Sequence, residues 1–324
     1  MPSNYTHNYF AKDVYSKLDL KKIKPIGNDR FYQIFAQSFD NLFYYNFLSL
    51  KKGAKYRDLG YYAQVHKVWN YFKNMVIYIK SNNYYTDESL GYLYGSLTHY
   101  AMDSTCHPYI HYIAGRFTSK DKKKTKKYIG NHAIVEIMID AIYYNNDHNN
   151  CFYKYKIYKD MIPKVKFSSD LTDLIDYTFK ETFNENGIGK IYNKSYNQSH
   201  DIYKLLMYDR FGIKKTVYKF FDFLTPFKNF KAYTYSHHIK KIDPTILNLN
   251  HSTWQHPVTG EKHKESFMDL YDISMKKALN MIYKCNEYFN NKITIQELEK
   301  EIGNISYSSG LDLGIKPDFR YFKN

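Results

Sequence analysis

The chain has 324 residues, 44% hydrophobic and 24% charged, with a formal net charge of +15 and a pI near 9.3. That length can bury a large core, while no apolar run reaches the ~20 residues that a membrane-spanning helix needs. Cys106, Cys151 and Cys285 are too few and too scattered for a disulfide framework or a CxxC zinc site.

The opening MPSNYTHNYFAKDVY has no apolar signal core, so the expectation is an unexported, cytoplasmic protein. Residues 5–20 read as a helix carrying His7. Residues 29–48 are strongly aromatic and hold one acid, Asp40, which is costly among Phe and Tyr unless something neutralises it or it caps a turn. After a loop bracketed by Gly53 and Gly60, a helix over about 59–80 carries His66, which taken alone reads as an ordinary packed or exposed histidine.

Thr86 is a candidate N-cap, with Asp87 and Glu88 favouring the positive end of the helix that follows. That helix pairs His99 with Asp103, and a second, near 128–144, pairs His132 with Glu136. An i, i+4 spacing sets both members of a pair on one face, about 40° apart at roughly 100° per residue. His107 comes one turn after Asp103, and Pro108 is expected to stop or bend the helix there. The second helix is apolar nearly all round and therefore expected to be buried. A buried carboxylate must be paired or bound to metal. Two such pairs plus His107 favour metal over two isolated core hydrogen bonds, and neutral imidazole with carboxylate and no thiolate suits zinc.

Between the two ligand helices, Lys120–Lys127 forms the one cationic block, a solvated loop or a phosphate-attracting rim. A polar break with His148 follows, then helices over 166–184 and 197–223. The stretch 224–260 is a long loop bearing three prolines. His251, Trp254, His256 and His263, in and just beyond it, make either a site wall or a plain surface loop, because their spacing fits no metal cluster. His200–Asp201 and His237–His238 read as structural. Helices over 261–290 and 294–303 close the chain, and no strand pattern appears, so the fold class is all-α. The expected layout is a metal-ligand-bearing helical half, 1–150, and a C-terminal helical half, 151–324, packed into one large domain.

Taken in order, His7, Asp40, His66, His99, Asp103, His107, His132 and Glu136 form a pattern. With the opening MPSNYTHNYF, the segment GYLYGSLTHYAMDSTCHP and the HAIVE helix, it resembles the bacterial zinc-dependent phospholipase C family, including the catalytic domain of clostridial alpha-toxin-like enzymes. The resemblance covers residues 1–145; the second half matches only as helical. It implies an all-helical domain with two or three Zn2+ in a cleft. By the same resemblance, His66, His99 and Asp103 bind one zinc, and His107, His132 and Glu136 a second. His7 and Asp40 contribute to a third, with Asp40 also beside the attacking water as the catalytic residue. Secreted relatives complete the third site with a processed N-terminal Trp, which this sequence does not present, and the spacing from Asp103 to His107 is shorter than theirs.

The activity implied is hydrolysis of a phosphodiester of phospholipid type. Zinc would acidify water and offset phosphate charge, and the basic chain would also suit peripheral contact with an anionic surface. Two alternatives stay open. Fungal single-strand nucleases resemble the same family, and positive charge with abundant tyrosine could serve nucleic acid; or the metal could merely stabilise a non-catalytic helical module.

Overall fold

The computed structural model describes residues 4–47, 49, 51–115, 128, 130–147, 156–224, 234–236 and 244–323. Lys120–Lys127, His148, Cys151 and His237–His238 lie outside the described residues. The helices, apart from short 3-10 and single-turn segments, are α1 (Asn4–Lys17), α2 (Arg30–Phe35), α3 (Ala54–Val65), α4 (Val68–Ser81), α5 (Asp87–Ala114), α6 (Asn131–Asp147), α7 (Ser169–Phe183), α8 (Ile188–Ile202), α9 (Ile213–Leu224), α10 (Phe267–Phe289) and α11 (Ile295–Ile302). A 3-10 segment, Ser38–Tyr44, joins α2 to α3. The fold is all-α, with two short strand pairings among the described residues: Tyr208–Asp209 runs parallel to Tyr235–Ser236, and Trp254–Gln255 antiparallel to Lys262–His263.

Helix α5 is the axis of the core, with 21 of its 28 residues buried. Thr86 caps it as its sequence suggests: the hydroxyl accepts from the Ser89 amide and the Ser89 hydroxyl accepts from the Thr86 amide. The main neighbours of α5 are α2 and α10. Helix α2 reaches it closely because Gly91 and Gly95 have no Cβ. One added at Gly91 would lie 2.7 Å from the Tyr32 amide nitrogen, and one at Gly95 would lie 2.5 Å from the Tyr32 carbonyl. The glycines thus let the α2 backbone, and the 3-10 segment after it, sit directly on the ligand helix.

Among the described residues the largest fully buried side chains are tyrosines, including Tyr32, Tyr71, Tyr92, Tyr94 and Tyr100. A buried phenol needs a hydrogen bond. Tyr71 donates to Tyr92 at 2.7 Å, Tyr94 to Asn286 Oδ1 at 2.9 Å and Tyr100 to the Ile302 carbonyl at 3.2 Å. Tyrosine is therefore much of the core itself.

Four local expectations need correction. Helix α5 does not stop at Pro108 but continues to Ala114. Proline removes only the bond to the Ser104 carbonyl, and that carbonyl faces Gly310, where a Cβ would come within 2.6 Å. The helix expected over 59–80 is two helices, broken where His66 is extended and Lys67 takes a left-handed conformation (φ 54°). The span 197–223 is likewise broken, by a π-turn at Tyr203–Met207 and a turn through Gly212. The helix expected to begin at 261 starts at Phe267, capped by Ser266, and residues 262–263 pair as a strand instead. No helix among the described residues is long and apolar enough to cross a membrane.

Candidate metal centre

Helix α5 presents His99, Asp103 and His107 one turn apart, and α6 presents His132 and Glu136 against them. Helix α1 adds His7, and the 3-10 segment adds Asp40. These side chains form two groups, His7–Asp40–His99–Asp103 and His107–His132–Glu136; within each, one ligand atom per residue lies within 4.8 Å of the others.

In the first group Asp103 is the hub. Its Oδ1 is 3.1 Å from His7 Nε2 and its Oδ2 is 3.0 Å from His99 Nε2. Asp40 Oδ2 stands 3.7 Å from the same His99 nitrogen. In the second group, Glu136 Oε1 lies 3.0 Å from His132 Nε2 and 3.2 Å from His107 Nε2. His107 Nδ1, 3.7 Å from Asp103 Oδ2, joins the two.

The hydrogen-bond roles suit a cation. His99 Nδ1 is 3.0 Å from the Ala36 carbonyl, which can only accept, so Nδ1 carries the proton and a neutral ring leaves Nε2 as a bare lone pair. That lone pair faces Asp103 Oδ2, and neither atom has a hydrogen-bond partner. His107 repeats the arrangement: Nδ1 donates to the Tyr307 carbonyl at 2.8 Å, turning Nε2 toward Glu136. Backbone carbonyls that fix the tautomer of a histidine are a usual second layer of a metal site. His7 Nδ1, His132 Nδ1 and Glu136 Oε2 are also buried without a hydrogen bond. Imidazole nitrogens and carboxylate oxygens, orphaned and converging, fit zinc.

The carboxylates of the site act strongly on its histidines. Burial alone would lower the pKa of His107, but Asp103 and Glu136 outweigh it and raise it to about 9. His99 is raised in the same way by Asp103 and Asp40. Burial would raise Asp103 and Glu136, yet the surrounding imidazoles hold both well below the usual carboxylate range. Asp40 goes the other way: burial, with the nearby Asp103 charge, raises it against the pull of His99.

Except for His99, the residues of both groups line one cleft of ≈ 610 Å³, bordered also by Phe43, Tyr61, Gln64, His111 and Ser308. Of the eight residues singled out in the sequence, seven converge here. His66 does not: it is exposed at the α3–α4 break, its ring stacked on Tyr62 at 3.9 Å and its Nδ1 donating to the Tyr62 carbonyl at 3.0 Å. In the structure Asp40 and His7, and not His66, stand beside His99 and Asp103.

Several residues of the site escaped sequence reading. Gln64 donates to Asp40 Oδ1 at 2.5 Å. His111, four residues beyond His107, extends the i, i+4 stripe into the cleft and bonds Ser308 Oγ at 3.0 Å; its spacing was a usable signal. Asp140, four beyond Glu136, accepts from the amides of Tyr5 (3.1 Å) and Thr6 (2.7 Å) at the start of α1, the helix that carries His7. Tyr192 donates to the Ser38 carbonyl and Ser195 to the Asn41 carbonyl, so α8 pins the 3-10 segment on either side of Asp40.

The loop histidines are structural. His256 donates from Nε2 to the Ser309 carbonyl at 2.9 Å and accepts two amides at Nδ1. His263 stacks on Trp254. His200 donates to the Ile162 carbonyl, and Asp201 pairs with Lys164.

A family model described as zinc dependent phospholipase C matches residues 6–186, more than half of the chain. No curated protein and no solved structure matches. Tyr307 and Ser308, which support the histidines from the C-terminal side, lie beyond the matched segment.

Proposed function

The chain belongs to the zinc-dependent phospholipase C family, and from that premise we propose that it is a zinc-dependent phosphodiester hydrolase acting on phospholipid. The observation that carries the reading is the pair of orphaned His–carboxylate groups sharing one open cleft. Zinc held there would acidify water toward neutrality and offset the charge of a phosphodiester. In this reading His7, Asp40, His99 and Asp103 hold one part of the metal centre, and His107, His132 and Glu136 the other. Asp40 is the catalytic residue: Gln64 fixes its Oδ1, and its Oδ2 orients the attacking water and takes its proton. Geometry at this step matters more than basicity, because a group within hydrogen-bond reach of the proton is the first requirement of a general base. The walls Phe43 and Tyr61 give the cleft an apolar lip suited to a lipid ester.

One observation favours a second reading, a zinc-dependent nuclease. Tyr61 is 55% exposed at the cleft edge, backed by Phe43 at 4.3 Å, which makes a platform for a base beside a strongly basic chain. The test is hydrolysis of phosphatidylcholine micelles and of single-stranded DNA by the zinc-loaded protein across a salt series, with His132→Ala as control. Turnover rising on micelles and absent in the control supports the phospholipase. Salt-suppressed cleavage of DNA alone supports the nuclease. Full turnover of both substrates by His132→Ala ends both.

A further inference from the structure

Helix α9 is built inside out. Its apolar residues recur at helical spacing, Ile213, Val217, Phe220 and Leu224, and all of them face solvent; none of the helix is buried. Phe223 is 85% exposed and Phe220 62%, and Phe211, just before the helix, 67%. The polar edge is the side that faces the protein. Lys214 Nζ donates to the Tyr208 carbonyl at 2.7 Å, and the Tyr218 hydroxyl to the Leu206 carbonyl at 3.0 Å. Asp209 caps the start, accepting from the amides of Lys214 and Lys215 at 3.2 and 2.8 Å. The outward direction of the stripe is thus set by hydrogen bonds on the opposite side.

A stripe of phenylalanines this exposed is costly in water and calls for a partner. Cations surround it: Arg210 lies against the Phe211 ring at 5.2 Å, Lys219 sits at the edge of the stripe, and Lys204 is exposed just upstream. A second copy of the chain, docked face to face, would bring these charges against themselves. An anionic lipid surface meets both features, because an amphipathic helix with a Phe/Leu face and flanking Lys/Arg lies in the headgroup layer with the apolar face down.

We propose that α9 docks the protein on anionic lipid bilayers, Phe220 and Phe223 entering the acyl boundary and Arg210, Lys204 and Lys219 meeting lipid phosphates. The exposed Leu205 carries the apolar surface on to a second cleft lined by Tyr44, Phe47, Ile202 and Leu206. The inference rests on α9 itself and not on hydrolysis, so it survives or fails separately from the function proposed above.

Flotation of the full chain with vesicles tests it, using phosphatidylcholine alone and phosphatidylcholine with phosphatidylserine. Phe220→Ser combined with Phe223→Ser should lower partitioning onto the anionic vesicles at least about tenfold. Arg210→Gln combined with Lys219→Gln should remove the preference for phosphatidylserine. Circular dichroism identifies folded variants, and if the double serine variant does not fold, Phe223→Ser alone serves, its side chain being almost wholly outside. A serine variant that floats as the wild type does overturns the proposal. So does a wild type that ignores both vesicles and forms a dimer that the serine variant abolishes.

Discussion

Asp140→Ala is expected to loosen the N-terminal helix and, through it, the metal centre. The Asp140 carboxylate is fully buried and accepts from the amides of Tyr5 and Thr6 and from the Thr6 hydroxyl, the last at 2.5 Å. The first amides of a helix have no partner within it, and negative charge there is favoured by the helix dipole. Tyr5 and Thr6 are themselves buried, so water cannot take the place of the carboxylate. Each amide left bare costs about 1–3 kcal/mol, which with the lost charge-assisted bonds sums to about 3–4 kcal/mol, a large share of the stability of one domain. Asp140→Asn keeps one acceptor but turns an NH2 toward an amide, and should recover only part of the loss. The assay is urea denaturation with the slope monitored alongside the midpoint, on zinc-loaded and chelated protein. Because His7 rides on α1, the Ala variant should also lose more stability on chelation-sensitive binding than a core cavity of equal cost elsewhere. A midpoint corresponding to less than about 1 kcal/mol of loss would falsify the anchoring role.

Gly95→Ala should destabilise by about 2–3 kcal/mol and lower metal occupancy, since its Cβ would sit 2.5 Å from the Tyr32 carbonyl and push away the α2 segment that leads to Asp40; calorimetry with metal analysis reads both. His66→Ala should keep the zinc content of the wild type, because His66 stands exposed on Tyr62; loss of one zinc would show that His66 swings into the centre. Lys277 is drawn down by burial to about 8, its ammonium held by Ser104 Oγ at 2.8 Å. A lysine whose folded pKa is lowered destabilises the native state while charged, and the penalty is relieved as pH rises from about 8 toward the unfolded value near 10.4. Lys277→Met should therefore gain about 1–2 kcal/mol at pH 7, with the gap to wild type closing above pH 8 in melts run across that range.

Much of the site could be read because its chemistry follows helix geometry. His99, Asp103 and His107 repeat at one turn, as do His132 and Glu136, and such spacing survives any tertiary arrangement. Thr86 was legible for the same local reason. His7 stood out through resemblance and Asp40 as the lone acid of an aromatic run, and only the packing of α1 and the 3-10 segment brings them to Asp103 and His99. The carbonyls of Ala36 and Tyr307, which fix the histidine tautomers, leave no trace in residue type. The break at His66 was missed because a left-handed Lys67 carries no signal such as Gly or Pro. Pro108 misled in the opposite sense: proline forbids one hydrogen bond, and a buried helix with α10 and Gly310 against it absorbs that loss.

The decisive measurement is the metal content of the purified chain, paired with hydrolysis of a chromogenic phosphodiester before and after chelation. Two or three zinc ions per chain, with hydrolysis lost on chelation and restored by zinc, is the expected result. A chain that takes up no zinc after careful reconstitution would leave His7, Asp40, His99, Asp103, His107, His132 and Glu136 as core ion pairs, and the proposed hydrolase would fall.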